Sequence, residues 1–358
     1  MSTFHSLKII DKKDETAESV SLVFEIPTTL KSDFTYKAGQ YLTLRFRIEG
    51  EDVRRSYSIC SAPTNDGPMR IGVKRVKNGL VSNHISDTLQ VGDQVEVMPP
   101  NGRFFVTPDQ ANYKTYYLFA AGSGITPILA ILKTILHQET RSYVYLMYGN
   151  RDMKSAMFKT ELDDLLEAYS DRFFMTHILS RSRSSWLDML RKKDEDHRKG
   201  RIDTLSVKGF VNDYQPYAQD TEYYICGPGT MIENTKTALK EIDVPDSRIH
   251  FESFGDTTSE ASGIGVSQAQ LEAHLNGEKI NVPMKEDQTI LRALIEAGKE
   301  PPYSCEGGVC STCVCKLESG KVHMKANMTL DEKEVAQGFI LSCQSLPLTE
   351  KVVVRYKE

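Results

Sequence analysis

The sequence predicts a multidomain chain: an antiparallel β-barrel first, a doubly wound α/β parallel sheet second, and a small α+β unit last. Three observations predict it. Up to about residue 108 the chain reads as short alternating strands between turns, and from about residue 113 strands alternate with helices. Four of the seven cysteines then crowd into Cys305–Cys315, in a C-terminal stretch set off by a polar linker. At 358 residues the chain also exceeds what one ordinary hydrophobic core serves.

In the first part, Ser19–Ile26 and Tyr41–Ile48 alternate. The second of these puts Leu42, Leu44, Phe46 and Ile48 on one face and Thr43, Arg45 and Arg47 on the other. Arg54–Cys60, Met69–Val76 and Gln94–Met98 read as further short strands. In the second part, Tyr116–Ala121 is an apolar strand followed by a Gly-rich turn and an apolar helix, Thr126–His137. The alternation continues through Tyr143–Tyr148, Phe158–Tyr169, Phe173–Leu179, Glu222–Cys226 and Thr230–Ile242. The basic stretch Arg181–Arg201 reads as a solvated loop or surface helix.

Gly255–Gly265 is small, polar and flexible in composition, as a linker would be. Beyond it, Gln268–Leu275 and Lys279–Pro283 form an expected hairpin around Asn276-Gly277. A helix at Ile290–Ala297, the cysteine loop, a short helix near Asp331–Gln337 and a strand at Val352–Tyr356 complete the last unit.

Composition narrows the function classes. A net charge of −5, with no Lys/Arg stripe interleaved with aromatics, argues against a nucleic-acid partner. The start, MSTFHSLKII, lacks the layout of a signal peptide. No apolar run approaches the ~20 residues needed to span a bilayer. A cytoplasmic protein without a membrane partner is expected. An odd number of cysteines, clustered rather than evenly spread, fits a disulfide scaffold poorly and a metal site in a reducing compartment well.

Cys305, Cys310 and Cys313 stand as C-x4-C-x2-C, with Cys343 downstream. This is the plant-type [2Fe–2S] spacing. Gly307-Gly308 removes side chains where backbone amides would turn toward the sulfurs. The rival is structural zinc, which usually uses two short Cys/His pairs; here the fourth thiol lacks a nearby mate. Cys315 lies outside the pattern and reads as a buried strand thiol.

Arg55-Ser56-Tyr57-Ser58 reads R-x-Y-S on a strand, and alternation puts Arg55 and Tyr57 on one face. A cation and an aromatic plane there suit the phosphate and ring of one flavin, with Ser58 able to bond its redox edge. The plain reading of the same tetrapeptide is a polar strand. In Gly79-Leu80-Val81-Ser82, Ser82 is placed to cap a short helix, whose free amides suit a diphosphate. Gly122-Ser123-Gly124-Ile125-Thr126-Pro127 follows an expected strand and opens a helix, the setting in which a Gly-rich turn cradles phosphate. Cys226-Gly227-Pro228-Gly229 ends another strand, where a parallel sheet faces its ligand; Cys226 can equally be an ordinary buried thiol.

Together and in this order, these motifs resemble the ferredoxin–NADP reductase superfamily over Ser2 to about Phe254. The remainder looks like a plant-type ferredoxin, with a β-grasp-like α+β fold. The stretches RRSYSIC, AAGSGITP, MYGNR, YICGPGTM and SCEGGVCSTCVC carry the resemblance, and the arrangement is that of reductase components serving bacterial oxygenases. The resemblance implies an FAD-binding barrel at 1–108, an NAD(P)-binding domain at 109–254, a linker at 255–265 and a [2Fe–2S] domain at 266–358.

It implies flavin contacts at Arg55, Tyr57 and Ser58, with Val73, Lys74, Gly79, Val81 and Ser82 around the flavin and its diphosphate. It implies dinucleotide contacts at Gly122, Ser123, Gly124, Thr126, Pro127, Asn150, Arg151, Ser180, Arg181, Gly227, Pro228 and Met231. Cys226 would approach the nicotinamide, and Glu252 and Phe254 would close over the flavin; Ser58, Cys226 and Glu252 thus act by positioning and polarisation. Cys305, Cys310, Cys313 and Cys343 would hold the cluster.

Arg151 and Arg181 stand where an NADH enzyme more often shows a carboxylate, and their forks suit the 2′-phosphate of NADPH; Asp152 beside Arg151 keeps the carboxylate reading open. The implied function is electron transfer from NADPH through FAD and the cluster to an oxygenase. Two alternatives remain: a stand-alone reductase serving flavodoxin or ferric iron, and a zinc-bound interaction module on a nucleotide-binding scaffold.

Overall fold

In the computed structural model the described residues are 4–63, 67–181, 197–218, 220–254, 266 and 268–357. The expected linker 255–265 and the greater part of the basic stretch, 182–196, lie outside them. The chain divides into two compact units, the larger built on Phe4–Val53 and Tyr57–Phe254, the smaller on the residues beyond 254; Arg54–Ser56, inside β4 of the barrel sheet, group with the smaller.

The larger unit opens with β1 (His5–Thr16), β2 (Ser19–Glu25), β3 (Tyr41–Ile48), β4 (Glu51–Ser58), β5 (Arg70–Lys74), helix α1 (Leu80–Asp87) and β6 (Gln94–Asn101). The six strands form one sheet in the order β4-β3-β6-β1-β2-β5. An isolated antiparallel bridge between Ile59 and Ile71 joins its two edge strands, closing the expected barrel. Alternation fills the interior: Leu7, Ile9, Leu22, Phe24, Leu42, Leu44, Ile71 and Val97 are buried in one core, capped by Val81 and Ile85 of α1. Strand β1 is the longest of the barrel and was not expected from sequence. Its second half is the charged run Asp11–Glu15, in which both faces carry ionic side chains, so no apolar alternation shows.

Next come β7 (Thr115–Ala121), α2 (Ile125–Gln138), β8 (Tyr143–Asn150), α3 (Lys159–Ala168), β9 (Phe173–Leu179), β10 (His197–Lys199), α4 (Thr204–Asp213), β11 (Thr221–Gly227), α5 (Gly229–Lys240) and β12 (Ile249–Ser253). The sheet order is β10-β9-β8-β7-β11-β12. Every pairing is parallel, as the doubly wound class requires. Helices α2 and α3 cover one face, where Phe104, Val106 and Cys60 join the core; residues of α4 and α5 cover the other. The fold class therefore agrees with the sequence pattern. Helix α4 and strand β12 were missed, because both are short and follow polar segments.

Helix α2 is buried along almost its whole circumference, which explains its unbroken apolar run. The exception in that run, Lys133, places Nζ 2.6 Å from Glu161 on α3. The same carboxylate accepts both Arg70 Nη2 contacts from β5, at 2.8 and 2.6 Å. Burial alone would raise the Glu161 carboxyl; Arg70 and Lys133 outweigh it and hold the group below its usual value near 4.5.

The smaller unit contains β13 (Gln268–Leu275), β14 (Glu278–Lys285), α6 (Ile290–Glu296), β15 (Val314–Ser319), β16 (Val322–Met324), α7 (Glu332–Ala336), β17 (Phe339–Leu341), β18 (Ser345–Pro347) and β19 (Lys351–Tyr356). Its five-stranded sheet runs β14-β13-β19-β15-β17, with β13 and β19 parallel at the centre and α6 packed on the core. The expected hairpin turn is present: Asn276 and Gly277 both have positive φ, 52° and 77°, as a type I′ turn requires. Asp331 caps α7, its side chain accepting from the Glu334 amide at 2.7 Å.

Glu161→Gln should destabilise the larger unit by about 1–3 kcal/mol, less than a fully buried pair because the carboxylate is partly solvated. The folded-state value is lowered, so Glu161 contributes its full stability above pH 4.5 and loses it as pH falls through the folded value. The measurement is the gap in thermal midpoint between wild type and variant, which should be present at neutral pH and shrink in acid.

Candidate functional site

Ser58 ends β4 and is buried, with Oγ 3.5 Å from Glu252 Oε2 on β12. Glu252 is itself in register beside Cys226 of β11. The end of the barrel strand carrying R-x-Y-S thus meets the carboxyl edge of the parallel sheet. Arg55 and Tyr57 precede Ser58 on β4, both half-buried, and Tyr57 packs against the barrel core. Val73 and Val81 have their side chains inside that core, so only their backbone is available to a ligand.

The expected cap at Ser82 is not formed. The helix starts earlier, at Leu80, with Gly79 as N-cap, so Ser82 lies inside the first turn. Its Oγ accepts from the Val76 amide at 3.1 Å and ties the preceding loop down instead. A side chain at Gly79 would press on Ser82 Oγ at 2.6 Å, which keeps this turn glycine.

After β7, Gly122–Gly124 forms a turn of 3-10 helix that runs directly into α2. Gly122 has φ +55°, and Thr126 Oγ1 donates to the Ser123 carbonyl at 2.9 Å. A Cβ at Gly124 would collide with the backbone carbonyl of Cys226, so the β7 and β11 loops touch backbone to backbone. This contact lies where the chain order reverses across β7, the crevice in which such sheets take ligands. Pro127 sits in the first turn of α2, where its missing amide costs nothing.

At the β11 end, Pro228 is the N-cap of α5, and Met231 packs so closely that a Cβ on Gly227 would meet its Cε at 2.9 Å. The Cys226 thiol is fully buried; burial first, then the Glu252 charge, pushes it well up, so it stays protonated. Phe254 follows β12, its amide donating to the Gly227 carbonyl at 3.3 Å.

Asn150 ends β8, nine-tenths buried, with its side chain near the Tyr148 hydroxyl but with neither polar atom in a well-formed hydrogen bond among the described residues. Such a group needs a partner from elsewhere. The Ser180 amide donates to the Asn150 carbonyl at 3.0 Å and the Arg181 amide to the Arg151 carbonyl at 2.8 Å, so the two predicted pairs stand side by side, with Ser180, Arg151 and Arg181 exposed. The Arg151 fork is not idle: Nη2 lies 2.7 Å from Glu18 Oε2. The Asp152 carboxylate caps the next turn, its Oδ1 accepting from the Ser155 amide at 3.0 Å.

Lys74 projects from β5 to within 3.3 Å of where a Gly122 side chain would stand, and burial, with Arg151 adding, lowers its affinity for a proton. Motif reading missed Glu18, Arg70, Lys133 and Glu161. They belong to no local pattern; the one cue was a lysine inside an otherwise apolar helix.

In the smaller unit, all four candidate ligands are free thiols, with Cys310, Cys313 and Cys343 buried. Cys305 and Cys310 lie within interaction range of each other, and that contact lowers Cys310 against the opposing effect of burial. Cys313 stands in the same relation to Cys343 and lowers it. The amides of Gly307 and Val309 point at Cys305, the first at 3.3 Å, and that of Gly308 at Cys343. Gly308 has φ +77°, and a Cβ there would meet the Ala326 carbonyl at 3.0 Å. A set of four sulfurs ringed by amide donors fits an iron–sulfur cluster. Cys315 is buried on β15 among core residues and stands outside the set. On the larger unit, the glycine cradle and the unsatisfied Asn150 fit a phosphate-bearing dinucleotide.

Comparison with known proteins agrees with these fits. Residues 6–106 match the oxidoreductase FAD-binding domain, 118–237 the oxidoreductase NAD-binding domain, and 273–348 the 2Fe-2S iron-sulfur cluster binding domain. The last match sets the zinc reading aside. The chain is 36% identical to one component of the 1,2-phenylacetyl-CoA epoxidase of Escherichia coli (strain K12), over 99% of this chain and 98% of that protein. It is 34% identical to the ferredoxin reductase component of 3-ketosteroid-9-alpha-monooxygenase of Rhodococcus rhodochrous, over 96% and 94% of the two chains. Among solved structures, phthalate dioxygenase reductase matches with a TM-score of 0.64 at 24% identity, covering 99% of this chain and 98% of that one. This chain belongs to the family of oxygenase reductase components, and it is an oxidoreductase with FAD-binding, NAD-binding and [2Fe–2S] domains.

Proposed function

We propose that the chain draws electrons from NADPH and delivers them singly to a separate cytoplasmic oxygenase, of the phenylacetyl-CoA epoxidase type. The approach of Ser58 on the barrel to Glu252 beside Cys226 carries the reading, because it joins the candidate flavin strand to the candidate nicotinamide loop. The bound groups supply the redox chemistry: hydride from the nicotinamide, conversion of an electron pair to single electrons at the flavin, and one-electron carriage at the cluster.

The chain's own residues bind and orient. Arg55 neutralises flavin phosphate and Tyr57 lies along the ring, while Lys74 and the amides around Gly79, Val81 and Ser82 suit the diphosphate. Ser58 offers a hydroxyl at the ring's redox edge. The amides of Gly122–Gly124 and the start of α2 hold the dinucleotide phosphates, with Thr126 fixing that turn. Asn150 gains its missing partner from the dinucleotide, and Arg151 with Arg181 face its 2′ position. Cys226, neutral and buried, sets the depth of the nicotinamide; Gly227, Pro228 and Met231 shape the floor beneath it. Glu252 and Phe254 exclude water from the flavin. Cys305, Cys310, Cys313 and Cys343 ligate the cluster, and the loop amides compensate its negative charge. Free thiols throughout suit a reducing compartment.

Purified protein should show flavin and iron–sulfur absorption together. Cys310→Ser should lose the second, keep the first and retain NADPH–ferricyanide activity, while reduction of the oxygenase falls more than about ten-fold. Undiminished oxygenase reduction without the cluster would refute the electron path. Arg55→Ala should emerge depleted in flavin with its iron–sulfur absorption intact; full flavin occupancy would remove Arg55 from the site. Arg181→Ala should lower kcat/KM for NADPH roughly ten-fold, the low end for a charged contact because the side chain is exposed, and change NADH far less. Equal losses with both coenzymes would show that Arg181 does not read the phosphate.

A further inference from the structure

Arg151 leaves the carboxyl end of β8, and its guanidinium is engaged by a carboxylate from the barrel, with Nη2 2.7 Å from Glu18 Oε2. Glu18 lies in the two-residue turn between β1 and β2. Its carbonyl accepts from the Arg75 amide at 2.8 Å, which ties that turn to the end of β5, next to Lys74. Lys74 in turn reaches the glycine cradle after β7. The Arg181 amide donates to the Arg151 carbonyl, so the two backbones run side by side here. Two cations, Lys74 and Arg151, and one carboxylate therefore gather beside the phosphate cradle, and the carboxylate comes from a loop that no nucleotide-binding pattern includes.

The side chains of Arg151 and Glu18 are 43% and 50% exposed, so water competes with the pair and a ligand can reach it. NADPH differs from NADH by a phosphate of nearly two negative charges on the adenosine ribose. To use Arg151, that phosphate has to displace the Glu18 carboxylate or lie against it. A ribose hydroxyl meets no such repulsion and can donate to a carboxylate.

We infer that Glu18 is a specificity-determining residue: it holds Arg151 before coenzyme arrives, opposes the 2′-phosphate, and narrows the preference for NADPH over NADH. The inference rests on the reading that Arg151 faces the 2′ position.

The test uses the full-length, flavin-loaded chain as wild type, Glu18→Gln, Glu18→Asp, Arg151→Ala and the Glu18→Gln/Arg151→Ala double variant. The readouts are kcat/KM for each coenzyme with ferricyanide, and inhibition by adenosine 2′,5′-bisphosphate against 5′-AMP. Glu18→Gln should raise the NADPH/NADH ratio about five-fold, the upper range for an exposed ion pair, and strengthen inhibition by the bisphosphate more than by 5′-AMP. The gain should vanish in the Arg151→Ala background and shrink with added salt. Glu18→Asp, which keeps the charge, should stay near wild type; a rise equal to that of Glu18→Gln would make the effect steric and overturn the proposal. A ratio unmoved by Glu18→Gln while Arg151→Ala lowers it would remove Glu18 and leave the reading of Arg151 standing. A ratio unmoved by Arg151→Ala would remove that reading and the proposal together.

Discussion

The Glu161 carboxylate, shared between Lys133 of α2 and Arg70 of β5, ties the barrel to the nucleotide sheet. A lysine buried in an apolar helix is costly unless its charge is met, and an arginine leaving a barrel strand needs the same. One acidic side chain on α3 serves both, and in doing so it fixes where β5 lies against α2. Because side chains alternate along a strand, Arg70, Gly72 and Lys74 all face the nucleotide sheet, while Ile71 and Val73 face the barrel core. Gly72 is in contact with Thr126 so closely that a Cβ would stand 2.5 Å from its Cγ2, and Lys74 reaches the cradle at Gly122. One strand face thus registers the barrel on the helix whose N-terminus the cradle opens.

That registration matters for chemistry because the residues around the crevice come from both sides of it. Ser58 is a barrel residue and Glu252 a sheet residue, and their separation is set by how β5 and α2 pack. Within the sheet, the backbone contact of Gly124 with Cys226 does the same at shorter range, holding the β7 and β11 loops against each other. Cys226 itself is fully buried, and that burial keeps its thiol protonated.

The cysteine loop reaches preorganisation by a different route. Its thiols are paired, Cys305 with Cys310 and Cys313 with Cys343, and the amides of Gly307, Gly308 and Val309 already point at sulfur. Positive φ at Glu306, Gly308 and Ser311 lets the backbone turn inward over so few residues. The Gln344 amide also lies against the loop, donating to the Glu306 carbonyl at 2.7 Å, and so brings the segment carrying Cys343 to the other three ligands.

What the sequence by itself determined is whatever repeats locally or follows a short motif. Alternation and short strands between turns marked five of the six barrel strands, the apolar run marked α2, Asn276-Gly277 marked a type I′ turn, and C-x4-C-x2-C marked the cluster loop. Each of these rests on backbone preference or on side-chain period within a few residues. The tertiary structure decided what depends on distant partners. Strand β1 was hidden by its charged run Asp11–Glu15; Ser82 proved to bind Val76 rather than to cap, because α1 begins three residues earlier than that role needs. Asp152 was taken up by the next turn, and Arg151 by a carboxylate more than a hundred residues away in sequence. Ion pairs between modules leave no periodic trace, because nothing in the chain near Glu18 or Glu161 requires their partners; only the packing of strand on helix brings them together.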